Sequence, residues 1–201
     1  MTESSPERGN DNALDVALMA KVAKGDHDAF EALVERHQHA VVGTVARMLG
    51  GATNADDIAQ QVFLRIWKSA SRYKPTAKFT TFLFTITRNL VFNETRRRSR
   101  RKEHSLEEQE DDWHQQIPGD EDTRPDAQIL QSELQHAVDK AIASLPEKQR
   151  LAVVLRRQEH MPYDEIGKIL GLSIPAVKSQ LFRARASLRE ALKQFLDEDA
   201  G

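Results

Sequence analysis

Residues 161–188, MPYDEIGKILGLSIPAVKSQLFRARASL, have the pattern of two short helices joined by a sharp turn. A first helix over about 162–170 should end at Gly171, because glycine adopts a positive φ without a steric penalty. Ser173 can then cap the second helix by accepting hydrogen bonds from its unpaired backbone amides. The stretch therefore predicts a helix-turn-helix.

The second of these helices should have two distinct faces when it is projected at about 100° per residue. Val177, Leu181 and Ala184 fall on one side, where they can pack on the first helix. The other side offers hydrogen-bond donors and an aromatic ring, as a helix that reads a DNA major groove requires. An ordinary hairpin with a solvated basic face is the alternative, but the turn and the cap favour DNA recognition. The residues predicted to contact DNA are Lys178, Ser179, Phe182 and Arg183.

Outside this stretch the charges are strongly segregated. Six of the seven residues from Arg96 to Lys102 are basic, whereas Glu103 to Asp126 contains ten carboxylates. The acidic stretch also contains Pro118, Gly119 and Pro125 and has no helical apolar period, so we expect a linker with little structure of its own. The formal net charge of −2 averages these opposite segments and says little about the binding faces.

The composition limits the classes of protein to which this chain can belong. A chain of 201 residues with 30 % charged and 39 % hydrophobic residues is typical of one or two globular domains. No run of eighteen apolar residues occurs, so no membrane span is expected, and the polar N-terminus lacks the order of a signal peptide. The absence of cysteine excludes disulfides and thiolate metal sites and fits a cytoplasmic location.

The apolar spacing before the acidic stretch predicts four helices. Asp26 can cap the second and Asn54 the third, and Pro75 interrupts the chain before the fourth. Helices over about 127–144 and 147–158 should precede the helix-turn-helix. The fold class is therefore all-α, with two small helical domains joined by an acidic flexible linker. The predicted boundaries are a flexible N-terminus over 1–12, a first domain over 13–102, the linker over 103–128 and the helix-turn-helix domain over 129–196.

The predicted fourth helix offers a second nucleic-acid face. Asn89, Asn93 and Arg96 project together, away from the apolar residues, and Arg88 flanks them. Asparagine beside arginine can address both base edges and phosphates, whereas a purely solvated face more usually carries Glu and Lys. The segment before this helix places an aromatic ring among cations, which suits stacking of unpaired bases. Its residues are Arg72, Tyr73, Lys74 and Lys78.

The predicted third helix contains the sequence DDIAQQVFLRIW. Its first carboxylates, Asp56 and Asp57, favour a helix N-terminus through their interaction with the helix dipole. The residues that follow leave more apolar and amide surface than one packing face needs, which suggests a protein partner. Plain core packing is the alternative for Trp67. The residues concerned are Gln60, Gln61, Phe63, Leu64 and Trp67.

Taken in order, these blocks resemble the extracytoplasmic-function sigma factors, the sigma-70 group with only two domains. Asp56–Trp67 resembles the helix that binds core RNA polymerase, Phe79–Arg98 the −10 element segment, and Leu145–Leu192 the −35-binding domain. The resemblance implies a protein that binds core polymerase, recognises the −10 and −35 elements of promoters and helps to open the −10 region. It implies no catalytic site and no cofactor.

The same resemblance implies partners for each block. The Asp56–Trp67 helix would bind the clamp helices of the polymerase β′ subunit, and the C-terminal domain would bind the β flap. Arg88, Asn89 and Asn93 would read the upstream −10 bases, and residues 71–79 would hold a base flipped from the non-template strand. An anti-sigma factor is a further implied partner. The acidic linker would thread the polymerase channel or, alternatively, serve only as a tether.

Three other classes of protein remain as alternatives. A one-component repressor or activator would have the helix-turn-helix but would not need the Asp56–Trp67 surface. A sigma mimic that sequesters an anti-sigma factor should have lost Asn89 and Arg96 as well as Lys178 and Arg183. An enzyme is disfavoured, because the sequence offers neither a glycine-rich phosphate loop nor a nucleophile with a plausible base, and no metal ligand set.

Overall fold

The computed structural model of this chain describes residues 6–104, 125–193 and 195. Over these residues the regular elements are eight α-helices and a 3₁₀ turn at Ala70–Arg72. The first four helices, which we call the N-terminal unit, are α1 (Pro6–Val22), α2 (His27–Leu49), α3 (Ala55–Ser69) and α4 (Phe79–His104). The last four, the C-terminal unit, are α5 (Pro125–Ser144), α6 (Glu147–Arg157), α7 (Tyr163–Leu170) and α8 (Ile174–Ala191). The predicted all-α class is confirmed.

The ends of α2 and α3 show how local sequence sets the helix boundaries. The Asp26 side chain accepts a hydrogen bond from the Ala29 amide at 3.0 Å, and Gly50, with φ 75°, ends α2. Asn54 precedes α3 as predicted, but it has φ 66° and makes no side-chain cap hydrogen bond. Asparagine tolerates this left-handed conformation better than most residues, so it supplies the turn and not the cap.

The start of α4 is fixed by a residue far away in the sequence. Asn12 Oδ1 in α1 accepts a hydrogen bond from the Phe79 amide at 2.9 Å, which satisfies one of the unpaired donors at the N-terminus of α4. The expected flexible N-terminus over 1–12 is therefore wrong for Pro6–Asn12, which is helical. Residues 1–5 lie outside the described residues.

The helix-turn-helix forms as the sequence predicts. Gly171, with φ 65°, ends α7, and the Ser173 side chain accepts a hydrogen bond from the Ala176 amide at 3.4 Å. Gly167 allows the close approach of the turn, because a Cβ atom there would lie 2.7 Å from the Leu172 carbonyl oxygen. No pattern in the sequence marks this glycine, because the close approach depends on the fold of the turn.

The central part of the predicted linker, residues 105–124, lies outside the described residues. At its two ends α4 continues to His104 and α5 begins at Pro125, so the edges of the predicted segment 103–128 belong to helices.

The two units are packed against each other. Helix α7 contacts α4, while α5 and α6 contact α2, and one cluster of buried apolar side chains continues from the N-terminal unit into the C-terminal unit. Arg150 in α6 donates to the Met48 carbonyl at the end of α2 at 2.5 Å and to the Leu145 and Ala143 carbonyls of its own unit. Burial lowers the pKa of this guanidinium, and the charge of Glu147 opposes that shift.

Candidate functional site

The polar face of α8 projects into solvent. Val177 and Ala184 are buried against the rest of the C-terminal unit. On the opposite side, Phe182 is 73 % exposed although its ring is apolar. The predicted division of this helix into a packing face and an exposed face is confirmed. The four predicted DNA-contacting residues Lys178, Ser179, Phe182 and Arg183 are all exposed.

Helix α4 has a similar division. Leu83 and Leu90 are buried, whereas Asn89, Asn93 and Arg96 are exposed on the other side. The predicted grouping of these three polar side chains on one exposed face therefore agrees with the structure.

The arginines at the end of α4 differ in their hydrogen-bond partners. Arg98 Nε donates to Glu94 Oε1 at 3.1 Å, and its Nη atoms lie within 3.4 Å of the Leu49 and Thr53 carbonyls. Burial disfavours ionisation of Glu94, but hydrogen bonds from Arg97 and Arg98 outweigh that effect and lower its pKa. Arg98 therefore stabilises the end of α2.

Two of the cations predicted to meet the −10 element contact α7. Lys78 Nζ lies 2.6 Å from Glu165 Oε1, and Arg88 Nη1 donates to the Ile169 carbonyl at 2.6 Å. Arg88 also donates to Asn89 Oδ1 through Nε at 3.1 Å and through Nη2 at 2.5 Å. The guanidinium of Arg88 thus holds the Asn89 side chain while it binds the C-terminal unit.

The loop before α4 differs from the prediction at Tyr73. Arg72 and Lys74 are exposed, but the Tyr73 ring is half-buried, with its centroid 5.1 Å from that of Phe82. Its hydroxyl is buried and has no hydrogen-bond partner among the described residues. Burial raises the pKa of this hydroxyl, and the charge of Asp15 adds to the shift. The ring packs in an aromatic cluster and is not presented for base stacking.

Helix α3 presents a surface that differs by one residue from the predicted one. Phe63 is only 6 % exposed and Leu64 is 53 % exposed. The prediction that Phe63 lies on the surface is wrong, because it falls on the same side of the helix as the buried Val62 and Ile66. Trp67 is half-buried and stacks on His27, with the ring centroids 4.7 Å apart. The exposed polar residues are Asp56, Asp57, Gln60 and Gln61.

A buried ion-pair network fixes α1 on α2. Asp15, which is 1 % exposed, accepts hydrogen bonds from Arg36 Nε at 2.9 Å and from His37 Nε2 at 3.0 Å if that nitrogen carries the proton. The bond to Asp15 is the main cause of the raised pKa of Arg36. Within the described residues, no three carboxylate or imidazole groups are placed to hold a metal ion. No helix in that same part of the chain has the length and apolar character of a membrane span.

Two family models match the two units. The model of sigma-70 region 2 matches residues 33–101, and the model of sigma-70 region 4 matches residues 135–188, so that together they cover more than half of the chain. The first match contains most of α2, all of α3 and most of α4. The second contains the helix-turn-helix.

Similar proteins cover nearly the whole chain. The RNA polymerase sigma-H factor of Pseudomonas aeruginosa is 31 % identical over 92 % of this chain and 96 % of its own length. The extracytoplasmic-function sigma factor SigW of Bacillus subtilis is 30 % identical over 86 % of this chain and 94 % of its own. The extracytoplasmic-function sigma-E factor of Escherichia coli is 31 % identical over 87 % and 92 %.

Solved structures have the same fold. CnrH, in complex with the cytosolic domain of CnrY, matches with a TM-score of 0.66 and 25 % identity over 90 % of this chain and 98 % of its own. RpoE of Bartonella quintana, in complex with the anti-sigma factor NepR, matches with a TM-score of 0.65 and 22 % identity over 82 % and 96 %. From the family models and these relatives, the chain belongs to the extracytoplasmic-function group of the sigma-70 family and is a promoter-recognising initiation factor of RNA polymerase.

Proposed function

We propose that the three exposed surfaces divide the work of initiation: α8 reads the −35 element, α4 reads the −10 element, and α3 binds core polymerase. The observation that supports this assignment most directly is the pair of polar faces on α4 and α8. Each lies opposite a buried apolar face, and each belongs to a unit that matches a different sigma-70 region.

For the −35 element, the chemistry of α8 suits a major groove. Lys178 and Arg183 can donate to guanine acceptors or phosphates, and Ser179 can serve either partner. The exposed Phe182 ring can contact a thymine methyl group or pack on the groove edge. An exposed aromatic ring between two cations has little use on a helix that only faces water.

For the −10 element, the amide and guanidinium groups of α4 supply base contacts and phosphate contacts on one face. Asn89 and Asn93 can pair with adenine edges, and Arg96 can bind a phosphate. Arg72 and Lys74 lie in the preceding loop, where they can neutralise the backbone of a displaced strand. The Tyr73 ring packs inward in the free chain. The cations are therefore the part of this loop that contributes to −10 binding.

For core polymerase, Leu64 is the apolar centre of the proposed surface, because Phe63, which was predicted to lie there with it, is buried. It is exposed beside Gln60 and Gln61, so an apolar side chain is surrounded by groups that form hydrogen bonds. That pattern is typical of a protein-binding surface. The clamp helices of the β′ subunit are the proposed partner, and the β flap is proposed for the C-terminal unit.

The remaining assignments follow from this role. The chain acts in the cytoplasm, where polymerase and promoters are, and it contributes specificity without a catalytic site of its own. The working domains are α1 to α4 and α5 to α8, in place of the boundaries 13–102 and 129–196, because α1 begins at Pro6 and α5 at Pro125. An anti-sigma factor is a further proposed partner, supported by the solved relatives that are bound to such proteins.

The test is run-off transcription from genomic fragments with purified core polymerase. The wild-type chain should select a defined set of start sites, and core polymerase alone should not.

Leu64→Ala should lower co-purification with core polymerase, whereas Leu14→Ala, which removes an exposed leucine from α1, should leave it unchanged. Equal core binding by both variants would contradict the role proposed for α3.

A further inference from the structure

Helix α2 places two aromatic rings against the Trp67 side chain of α3. The His27 ring stacks on the indole, with the ring centroids 4.7 Å apart and the planes inclined by 25°. Phe30 contacts the indole edge to face, with the centroids 5.1 Å apart. Stacked and edge-to-face arrangements are the ones that aromatic pairs favour, and each adds attraction beyond the burial of apolar area. The indole is therefore held on two sides by a helix other than its own.

The position of His27 is fixed by the start of α2. It is the first residue of that helix, and the preceding Asp26 caps the helix by accepting a hydrogen bond from the Ala29 amide at 3.0 Å. Such a cap stabilises the first turn of a helix against fraying. The imidazole is therefore attached to an ordered backbone, although His27 is exposed.

Trp67 adjoins the surface of α3 that is proposed to bind polymerase. Gln60, Leu64 and Trp67 follow one another at intervals of four and three residues, so their side chains are neighbours on one side of the helix. Gln60 and Leu64 are exposed, and Trp67 is half-buried. The part of the indole that α2 leaves uncovered therefore extends the apolar centre formed by Leu64.

The chemistry of histidine suits an exposed ring that covers an indole. One face of the imidazole can lie on the apolar ring system of Trp67 while its two nitrogens form hydrogen bonds with water. A larger apolar side chain at this position would cover the indole too, but it would add apolar surface that the free chain must expose. His27 therefore shields one side of Trp67 without enlarging the apolar patch on the free protein.

We propose that His27 is a positioning residue for core polymerase binding: its ring holds the Trp67 indole in the orientation in which the polymerase contacts it, and the binding surface continues from α3 onto the first turn of α2. The inference rests on the function proposed for α3. It adds a residue on another helix, outside the Asp56–Trp67 sequence. Its energetic basis is preorganisation, since a side chain that is already ordered loses less conformational entropy when the partner binds.

The first measurement is the accessibility of Trp67 in the full-length free chain. The sequence has two tryptophans, so a Trp113→Phe background leaves Trp67 as the single one. His27→Ala should increase the quenching of its fluorescence by acrylamide, because the change uncovers one face of the indole. His27→Phe, which keeps a ring at the same place, should restore the native quenching. His39→Ala, which removes an exposed imidazole from the same helix, should leave it unchanged.

The second measurement is the Kd of each full-length variant for purified core polymerase. His27→Ala and His27→Gln should both raise the Kd, by between about twofold and about tenfold, the range that corresponds to the loss of one aromatic pair. Glutamine keeps a side chain that forms hydrogen bonds but has no ring, so it separates stacking from a polar contact with the polymerase. His27→Phe should restore the native Kd, and His39→Ala should not change it.

Circular dichroism checks that each variant keeps its helix content, and His27→Gln replaces His27→Ala if the alanine variant does not fold. The proposal is overturned if the variants without a ring leave the quenching of Trp67 or the Kd unchanged while Leu64→Ala binds more weakly. It is also overturned if His27→Phe shields Trp67 but does not restore the Kd. If Leu64→Ala binds core polymerase as tightly as the native chain, the role proposed for α3 fails, and this inference fails with it.

Discussion

The two proposed DNA-reading faces differ in what already occupies them. The face of α8 stands in solvent, with Phe182 73 % exposed, whereas two cations beside the α4 face, Lys78 in the preceding loop and Arg88 on its flank, contact α7. The α8 face can therefore meet DNA as it stands, whereas Lys78 and Arg88 can bind DNA only after their contacts to α7 break. The difference shows that cations beside a proposed DNA-reading face can already be engaged within the protein while the polar residues of that face stay exposed.

The largest effect should come from displacing α8 and its exposed face. Gly167→Ala places a Cβ atom 2.7 Å from a backbone carbonyl, so α7 and the turn must shift. We expect a loss of about 1–3 kcal/mol in the free energy of unfolding of the C-terminal unit, measured by thermal denaturation, and loss of −35 recognition. Gly43→Ala in α2 is the control, because its nearest neighbour is the flexible end of Arg47. Equal stability of the two variants would contradict this account.

The next prediction separates the two faces by the state of the DNA. Lys178→Ala should weaken use of the −35 element by about 1–3 kcal/mol, the value of a good base contact. Its defect should persist on a template whose −10 region is already melted, because −35 contacts are made to closed duplex. Abortive transcription from matched duplex and bubble templates measures this. Lys168→Ala, which removes an exposed charge from α7, is the control for net charge.

The companion variant is Asn89→Ala. It should reduce −10 recognition and opening on duplex, with −35 binding unchanged. Gln38→Ala, an exposed amide on α2, controls for loss of an amide side chain elsewhere. If Lys178→Ala and Asn89→Ala show the same pattern of loss, each with the same defect on duplex as on bubble templates, the division of labour between the faces fails.

A smaller effect is expected at Tyr73. Its buried hydroxyl has no hydrogen-bond partner among the described residues, and an unsatisfied buried polar group costs about 1–3 kcal/mol. Tyr73→Phe should therefore leave the free energy of unfolding unchanged or raise it, by up to about 1 kcal/mol. Chemical denaturation measures the change. A lower free energy of unfolding would mean that the hydroxyl has a hydrogen-bond partner in solution. The position of Tyr73 in the loop before α4 would then differ from the inward-packed one.

The smallest expected effect concerns Glu159, at the junction of the two units. Glu159 lies close to Arg47 and His37 of the N-terminal unit, and burial raises its pKa against their opposing charges. Closing the units therefore disfavours its ionised form. Glu159→Gln removes that cost and should slightly raise the free energy of unfolding, measured by chemical denaturation. A lower free energy of unfolding would contradict this account of the junction.

The sequence predicted most of what depends on near neighbours along the chain. Asp26, Gly171 and Ser173 act at the helix ends they adjoin, and the faces of α4 and α8 follow from the helical period alone. The error at Phe63 has the same origin. A helix turns by about 100° per residue, so an apolar pair such as Phe63-Leu64 straddles the boundary of the packing face. Only the neighbouring helices decide which member is buried.

What the sequence could not predict are contacts between distant positions. Arg88 and Ile169 are 81 residues apart, and Asn12 and Phe79 are 67 apart. A cation on a DNA-reading face has the same appearance in sequence whether its partner is a phosphate or a helix C-terminus. The engagement of Lys78 and Arg88 by α7 therefore becomes visible only when the packing of the two units is known.

The shared apolar cluster has a consequence for how long the protein survives in the cell. Phe84 and Met161 both line the cavity at the junction and are nearly inaccessible while the units are closed. Opening exposes such side chains, and exposed apolar segments are what proteases and chaperones bind. The described packing of the two units hides them. We therefore expect the cellular lifetime of this protein to be shortest for molecules that have opened without finding a polymerase.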